Sequence, residues 1–238
     1  MIRVRAEVVK STRSAAVDMI KAYLFDMDGT FLDTEKLWAK AMVELVRDYG
    51  VESNETAMLG IVLGRSWRNV YAELLQLCPA LSKWTMNEMA LVVREYFHRL
   101  SHTESIVIEE SAALLCRLAK EKPVAVVSGS PHDDVVNGVK LIGAHSDVKL
   151  LLGAEDYPRG KPFPDGYLRA AELLGVEPSA CVVFEDSSVG VQSAKAAGMH
   201  CVALSRVDGE RQDVSGADWV LTSLGQYSDH ELMERIHG

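Results

Sequence analysis

The chain has 238 residues, 48% of them apolar and 25% charged, enough material for one large domain or for a core domain with a smaller insertion. Its formal net charge of −9 excludes a general binder of nucleic acid or of an anionic membrane, since both need a basic surface, but an anionic substrate can still bind where a site is locally positive. Cys78, Cys116, Cys181 and Cys201 are scattered and form no CxxC pair, which reads as free thiols in a reducing, cytoplasmic compartment and not as a disulfide or zinc framework.

Residues 1–18 carry basic side chains but no compact apolar stretch with a small-residue cleavage site, so a secretory signal is not expected. They read as a poorly ordered extension, as a mis-assigned start, or as an extra edge strand using Ile2, Val4 and Val8. No run of 18 apolar residues follows, so no membrane span is expected. From Met19 onward short apolar runs recur at Ala22–Phe25, Val124–Val127, Leu150–Leu152, Val182–Phe184, Cys201–Leu204 and Trp219–Leu221. Amphipathic stretches of helical length lie between most of them, among them Ser111–Lys120, Tyr167–Leu174 and Val189–Ala197. Continuous apolar strands alternating with helices predict an α/β fold, a parallel sheet covered by helices on both faces. Residues 35–104 break the rhythm: "KLWAKAMVELVRDYG", "SWRNVYAELLQL" and "NEMALVVREYFHRL" read as successive helices with no strand between them. The expected organisation is therefore a core of residues 19–34 and 105–238 with an all-helical insertion at 35–104.

The polar clusters fall at the ends of these strands. Asp26 and Asp28 follow the first, Ser128 in "VVSGS" follows the second, Lys161 in "GKPFPDGY" lies beyond the third, and Glu185 and Asp186 in "VVFEDSS" end the fourth. An open parallel sheet binds ligands outside the carboxyl ends of its strands, so loops far apart in sequence converge on one crevice. Four carboxylates gathered there repel one another, and a hard dication with oxygen ligands, Mg²⁺ above all, relieves the repulsion. A dication, a lysine, a serine hydroxyl and loop amides together suit a phosphate. One carboxylate can attack phosphorus while a second manages the proton of the leaving oxygen.

"DMDGT", "VVSGS", "GKPFPD" and "FEDSSVGVQSAKAAGM", in this order, resemble the haloacid dehalogenase superfamily of phosphotransfer enzymes. The helical insertion after the first strand resembles the cap of the branch that holds β-phosphoglucomutase and many sugar-phosphate phosphatases. The resemblance implies a Rossmann-like core with a cap that closes over the substrate. Asp26 would be the nucleophile that becomes an aspartyl-phosphate, and Asp28 the group that protonates the leaving alcohol and then deprotonates water. Asp26, the backbone carbonyl of Asp28, and Asp186 would hold Mg²⁺, with Glu185 either a ligand or a support of the ligands. Ser128, the amide of Gly129 and Lys161 would bind the transferring phosphoryl group. The implied partner is a small phosphorylated metabolite, with no nucleic acid and no membrane, and the chain is expected to be a monomer or a weak dimer.

Within that resemblance the cap separates hydrolysis from phosphoryl shuttling. The mutase places a histidine shortly after its counterpart of "DTE", where this chain has Trp38, and a cap lysine near the start of "VVREYF", where it has Val92 and Val93. Both departures point to a phosphatase, with a mutase as the alternative and a non-catalytic sugar-phosphate binder as the remote one. In "GRSWRNV", Arg65 reads as a substrate contact or as part of a solvated loop, and Trp38 as a substrate wall or as cap packing. His132 with Asp133 and Asp134 reads as the polar start of a helix, where acids favour the dipole.

Overall fold

The computed structural model describes residues 19–62, 67–101, 103–206 and 212–237; the expectations for residues 1–18 and for Arg65 lie outside them. Among the described residues six parallel strands form one sheet: β1 Ala22–Phe25, β2 Val124–Val127, β3 Leu150–Leu152, β4 Cys181–Glu185, β5 His200–Leu204 and β6 Trp219–Leu221, in the spatial order β3-β2-β1-β4-β5-β6. The first strand is central because the connection from β3 to β4 crosses it. Sheet order therefore reverses beside β1, the switch point at whose carboxyl end open parallel sheets bind their ligands.

Burial explains why these strands are apolar throughout. Every residue of β1, β2 and β4 is buried, because helices cover both faces and neither side chain direction reaches water. On one face Ala22 and Leu24 join Ala125, Val127, Val183, Tyr167, Ala170 and Ala194 in a continuous core. On the other, Phe25 stacks on Phe184 with ring centroids 4.4 Å apart, and Tyr227 meets Phe184 edge-on at 4.8 Å, a geometry aromatic pairs favour.

The chain divides into two compact units, Asp33–Ile106 and the segments on either side of it. The inserted unit contains α1 Thr34–Asp48, α2 Glu55–Val62, α3 Trp67–Leu77 and α4 Met86–Ser101. The face of α1 formed by Leu37, Ala41, Met42, Leu45 and Val46 is buried, and α1 packs against α2 and α4. The core unit adds α5 Glu109–Leu118, α6 His132–Leu141, α7 Asp165–Leu174, α8 Ser188–Ala196 and α9 Asp229–His237. All four cysteines are free thiols, and no helix of the described residues is long and apolar enough to cross a membrane.

Candidate active site

Asp26 is the first residue beyond β1. Phe25 is in register with Val126 on one side and Phe184 on the other, so the chain leaves the sheet level with the ends of both neighbours. The Asp26 N–H donates to Phe184 O at 2.9 Å, which carries the β1–β4 ladder one residue past the strand and fixes the carboxylate on a rigid mount. Beyond it the chain folds back: Gly29 N–H donates to Leu32 O at 2.7 Å, and Phe31 and Leu32 N–H donate to Met27 O, each at 3.1 Å. The turn requires positive φ at Gly29 (84°), a conformation a side chain disfavours.

The same edge collects the other groups. Ser128 follows β2, with its N–H donating to Leu152 O at 3.0 Å and its carbonyl accepting from the Tyr157 hydroxyl at 2.7 Å. Gly129 comes next and is exposed, with open space around its Cα. Lys161 reaches back from the loop after β3, and its ammonium bonds both Asp26 Oδ1 and Glu185 Oε1. Thr30 Oγ1 donates towards Asp186 Oδ1 at 3.2 Å and lies 3.4 Å from Asp26 Oδ2. The sequence reading thus finds Asp26, Asp28, Ser128, Gly129, Lys161, Glu185 and Asp186 in one unit of the protein. Trp38 sits in the inserted unit, stacked on Phe97 at 4.2 Å.

Glu185 is the most constrained of these groups. It is fully buried at the end of β4, and both its oxygens are engaged. Oε1 accepts from Lys161 and from the Tyr167 hydroxyl at 2.7 Å. Oε2 accepts from Asp186 N–H at 3.1 Å, Ser187 N–H at 3.3 Å and Ser187 Oγ at 3.0 Å. Ser187 in turn caps α8 by accepting from Gly190 N–H at 3.0 Å, satisfying one of the unpaired donors of the helix start. A buried carboxylate is tolerated only when paired and hydrogen-bonded, and Glu185 meets that condition fully.

Electrostatically the centre is short of positive charge. Burial pushes the Asp26 carboxyl up to about 8, a rise that Lys161 opposes but that Glu185 and Asp28 reinforce. Burial also works against the charge on Glu185, but Lys161 and the Tyr167 hydroxyl outweigh it and hold Glu185 below the ordinary carboxylate range. Lys161 is driven well above its usual value by Asp26 and Glu185, in spite of its burial. One ammonium therefore serves two buried acids and satisfies one of them. Asp26, Glu185 and Asp186 bring carboxylate oxygens within 4.8 Å of one another. An all-oxygen donor set with excess negative charge fits a hard dication such as Mg²⁺.

Tyr167, Thr30, Ser130 and Ser187 were not assigned roles from the sequence. Thr30 stands inside "DMDGT", and Ser130 and Ser187 stand beside assigned residues. Tyr167 gives no local signal, because its hydroxyl bonds an acid on a strand that follows it in the chain.

The chain is similar to known phosphatases over most of its length. Validoxylamine A 7'-phosphate phosphatase of Streptomyces hygroscopicus subsp. limoneus is 30% identical over 207 residues, covering 87% of this chain and 95% of that protein. Fructose-1-phosphate phosphatase of Escherichia coli is 32% identical over 184 residues, covering 75% and 93%. The crystal structure of β-phosphoglucomutase from Clostridium difficile has the same fold, with a TM-score of 0.70 at 22% identity over 91% of this chain and 96% of that one. The family model of haloacid dehalogenase-like hydrolases matches residues 23–204, from β1 to the end of β5 and so across every group of the crevice, and the chain belongs to that family.

Proposed function

We propose that this protein is a Mg²⁺-dependent phosphatase of a small, sugar-like phosphate monoester, working through an aspartyl-phosphate on Asp26. One observation carries this: a buried carboxylate on a strand end, Asp26, touches a lysine and stands two residues before a second acid, Asp28, which two serine hydroxyls hold. The relatives named above as phosphatases of phosphorylated small molecules support the substrate class.

In the proposed reaction Lys161, the Ser128 hydroxyl and the Gly129 amide bind the phosphoryl oxygens. Charge-assisted donors of this kind favour the transition state, where those oxygens carry the most charge. Asp26 attacks phosphorus, and as the phosphorus–oxygen bond of the ester breaks, Asp28 gives its proton to the leaving alcohol. Asp28 then takes a proton from water, whose oxygen displaces Asp26 from phosphorus and releases inorganic phosphate. Asp26, Asp186 and the backbone carbonyl of Asp28 would hold Mg²⁺, which when bound neutralises the carboxylates and offsets the negative charge of the phosphoryl group. Glu185, with five protein donors on its two oxygens, fits the role of holding Lys161 and the Asp186 loop in place better than that of a metal ligand. Trp38 and Arg65 are proposed contributors to substrate choice from the inserted unit.

The experiment is phosphate release from a panel of hexose, hexitol and other phosphate monoesters, with Mg²⁺ and with EDTA, for the wild type and Asp26→Asn. The expected result is metal-dependent release that the variant lacks. Turnover retained by Asp26→Asn would sink the nucleophile assignment. Conversion of β-glucose 1-phosphate to glucose 6-phosphate without phosphate release would replace the phosphatase by a mutase. A folded protein inert in both assays would be a binding protein.

A further inference from the structure

Asp28 Oδ2 accepts two hydroxyl hydrogen bonds of equal length, 2.8 Å from Ser128 Oγ and 2.8 Å from Ser130 Oγ. The two serines are themselves linked, since Ser130 N–H donates to Ser128 Oγ at 3.0 Å. A serine hydroxyl has one proton to donate. In the phosphatase reading, on which this inference rests, Ser128 gives that proton to a phosphoryl oxygen. It therefore cannot hold Asp28 and the substrate at once, and substrate binding takes the Ser128 hydroxyl from the acid.

Ser130 is placed to keep its hold when that happens. Its carbonyl accepts from Ala154 N–H at 2.9 Å, which ties its backbone to the loop after β3. We propose that Ser130 is a positioning residue: it keeps the Asp28 carboxyl aimed at the leaving oxygen after the Ser128 hydroxyl has passed to the phosphoryl group. The acid proton passes from the Asp28 carboxyl to the ester oxygen as the bond to phosphorus breaks and the bond from Asp26 to phosphorus forms.

In the step that forms the aspartyl-phosphate, which kcat/KM reports, a leaving group that needs no proton should be indifferent to Ser130; the later attack of water, where Asp28 is the base, is common to both esters. The test compares kcat and KM of the wild type, Ser130→Ala, Ser130→Thr and Asp26→Asn with Mg²⁺, on the best hexose phosphate and on p-nitrophenyl phosphate. Ser130→Ala is expected to lower kcat/KM about tenfold or more on the hexose phosphate, a part of what general acid catalysis supplies. Its kcat/KM on the nitrophenyl ester should stay within about twofold, and Ser130→Thr should restore kcat/KM on the hexose phosphate. Equal losses of kcat/KM on the two esters, no loss on either, or a threonine variant as slow as alanine would overturn the inference. A crystal structure of the wild type with Mg²⁺ and inorganic phosphate gives a second readout that needs no variant to fold. Ser128 Oγ should lie on phosphate with Ser130 Oγ still within about 3.2 Å of Asp28, and a Ser130 hydroxyl turned away from Asp28 would count against it. A wild type that releases phosphate from neither ester removes the phosphatase reading and this inference together. Turnover lost in Asp26→Asn but unchanged in Ser130→Ala removes this inference alone.

Discussion

Gly190 lies directly against the Glu185 carboxyl: a Cβ at Gly190 would stand 1.9 Å from Glu185 Cδ and Oε1 and 2.0 Å from Oε2. Glu185 has nowhere to go, because it is fully buried and its oxygens are tied to Lys161, Tyr167, Asp186 and Ser187. One methyl group at Gly190 would therefore push the acid out of that set and release Lys161 from its second anchor. Gly190→Ala is expected to lower stability by about 2–4 kcal/mol, from overpacking together with lost buried hydrogen bonds. Phosphate release should fall by about 100-fold or more, because a misplacement of about 1 Å in a positioning group has that effect. Urea unfolding and steady-state kinetics on the same preparation check both numbers, and a variant with neither changed would mean that the placement of Glu185 is not required.

Gly29 stands in the same relation to the other acid of the "ED" pair. A Cβ there would lie 2.1 Å from Asp186 Oδ2, and the residue has φ of +84°. Gly29→Ala thus combines a backbone penalty of about 1–2 kcal/mol with displacement of Asp186. The expected result is weaker binding of Mg²⁺, by about tenfold or more, measured by calorimetric titration in the absence of substrate. Metal affinity equal to that of the wild type would remove Asp186 from the proposed ligand set.

These two glycines mark the limit of what the sequence reveals. The strands were legible because burial on both faces makes each one continuously apolar. Their polar ends were legible because acids at the end of a buried strand are unusual. Even so, β4 extends to Glu185, which pairs in register with Ala203; the acid belongs to the strand because its side chain, though charged, is as buried as its apolar neighbours. The contacts Gly29–Asp186 and Gly190–Glu185 arise from packing across β1 and β4 and from the approach of α8, and no spacing along the chain encodes them. Helix α2 was missed because its residues are apolar around most of its circumference with only Met58 buried, which leaves no period to detect. Helix α9 was missed for the opposite reason: among its nine residues only Leu232 and Met233 are buried. The Tyr167 hydroxyl was invisible because its helical position reads as core, which it is, and its polar tip meets Glu185 only in three dimensions.

The pair formed by His132 and Asp156 should make stability depend on pH. His132 Nδ1 lies 2.8 Å from Asp156 Oδ2 at the start of α6. The hydrogen bond with Asp156 holds the imidazole above its usual 6.5. Burial works against the Asp156 charge, but the Gly153 N–H and His132 outweigh it and keep the carboxyl below its usual 3.8. A histidine raised on folding stabilises fully below its unfolded value, and that contribution disappears as pH rises through the raised folded value. A depressed aspartate stabilises above its unfolded value and loses its contribution as pH falls through the folded one. The pair should therefore contribute most near pH 5–6 and little at pH 9. His132 is 40% exposed, so solvent screening keeps the whole effect at or below about 1 kcal/mol. The measurement is the stability difference between the wild type and His132→Ala in urea at pH 5.5 and at pH 9. A difference that does not shrink at the higher pH would contradict the ion pair.

Asp229, the first residue of α9, joins the C-terminal helix to the centre of the sheet. Its Oδ1 and Oδ2 lie 2.8 and 2.7 Å from the Tyr23 hydroxyl, its Oδ1 also accepts from the Tyr227 hydroxyl at 2.7 Å, and Lys122 Nζ lies 3.3 Å from Oδ2. Burial, reinforced by Asp229, drives both tyrosines far above the ordinary range of a phenol, so both remain protonated donors at any working pH. Tyr23 is fully buried and Tyr227 nearly so. Removing the acceptor would leave two hydroxyls without a partner, each costing about 1–3 kcal/mol. Asp229→Ala is expected to lose about 3 kcal/mol, and Asp229→Asn less, because an amide oxygen can still accept from both tyrosines. Tyr23 pairs with Val124 and Val182, below the strand ends that carry the proposed catalytic groups, so phosphate release by the folded fraction should stay within about twofold of wild type. Urea unfolding followed by tyrosine and tryptophan fluorescence gives the first number and initial rates the second. A loss below about 0.5 kcal/mol, the ordinary scale of a surface substitution, would mean that α9 is held by Leu232 and Met233 alone.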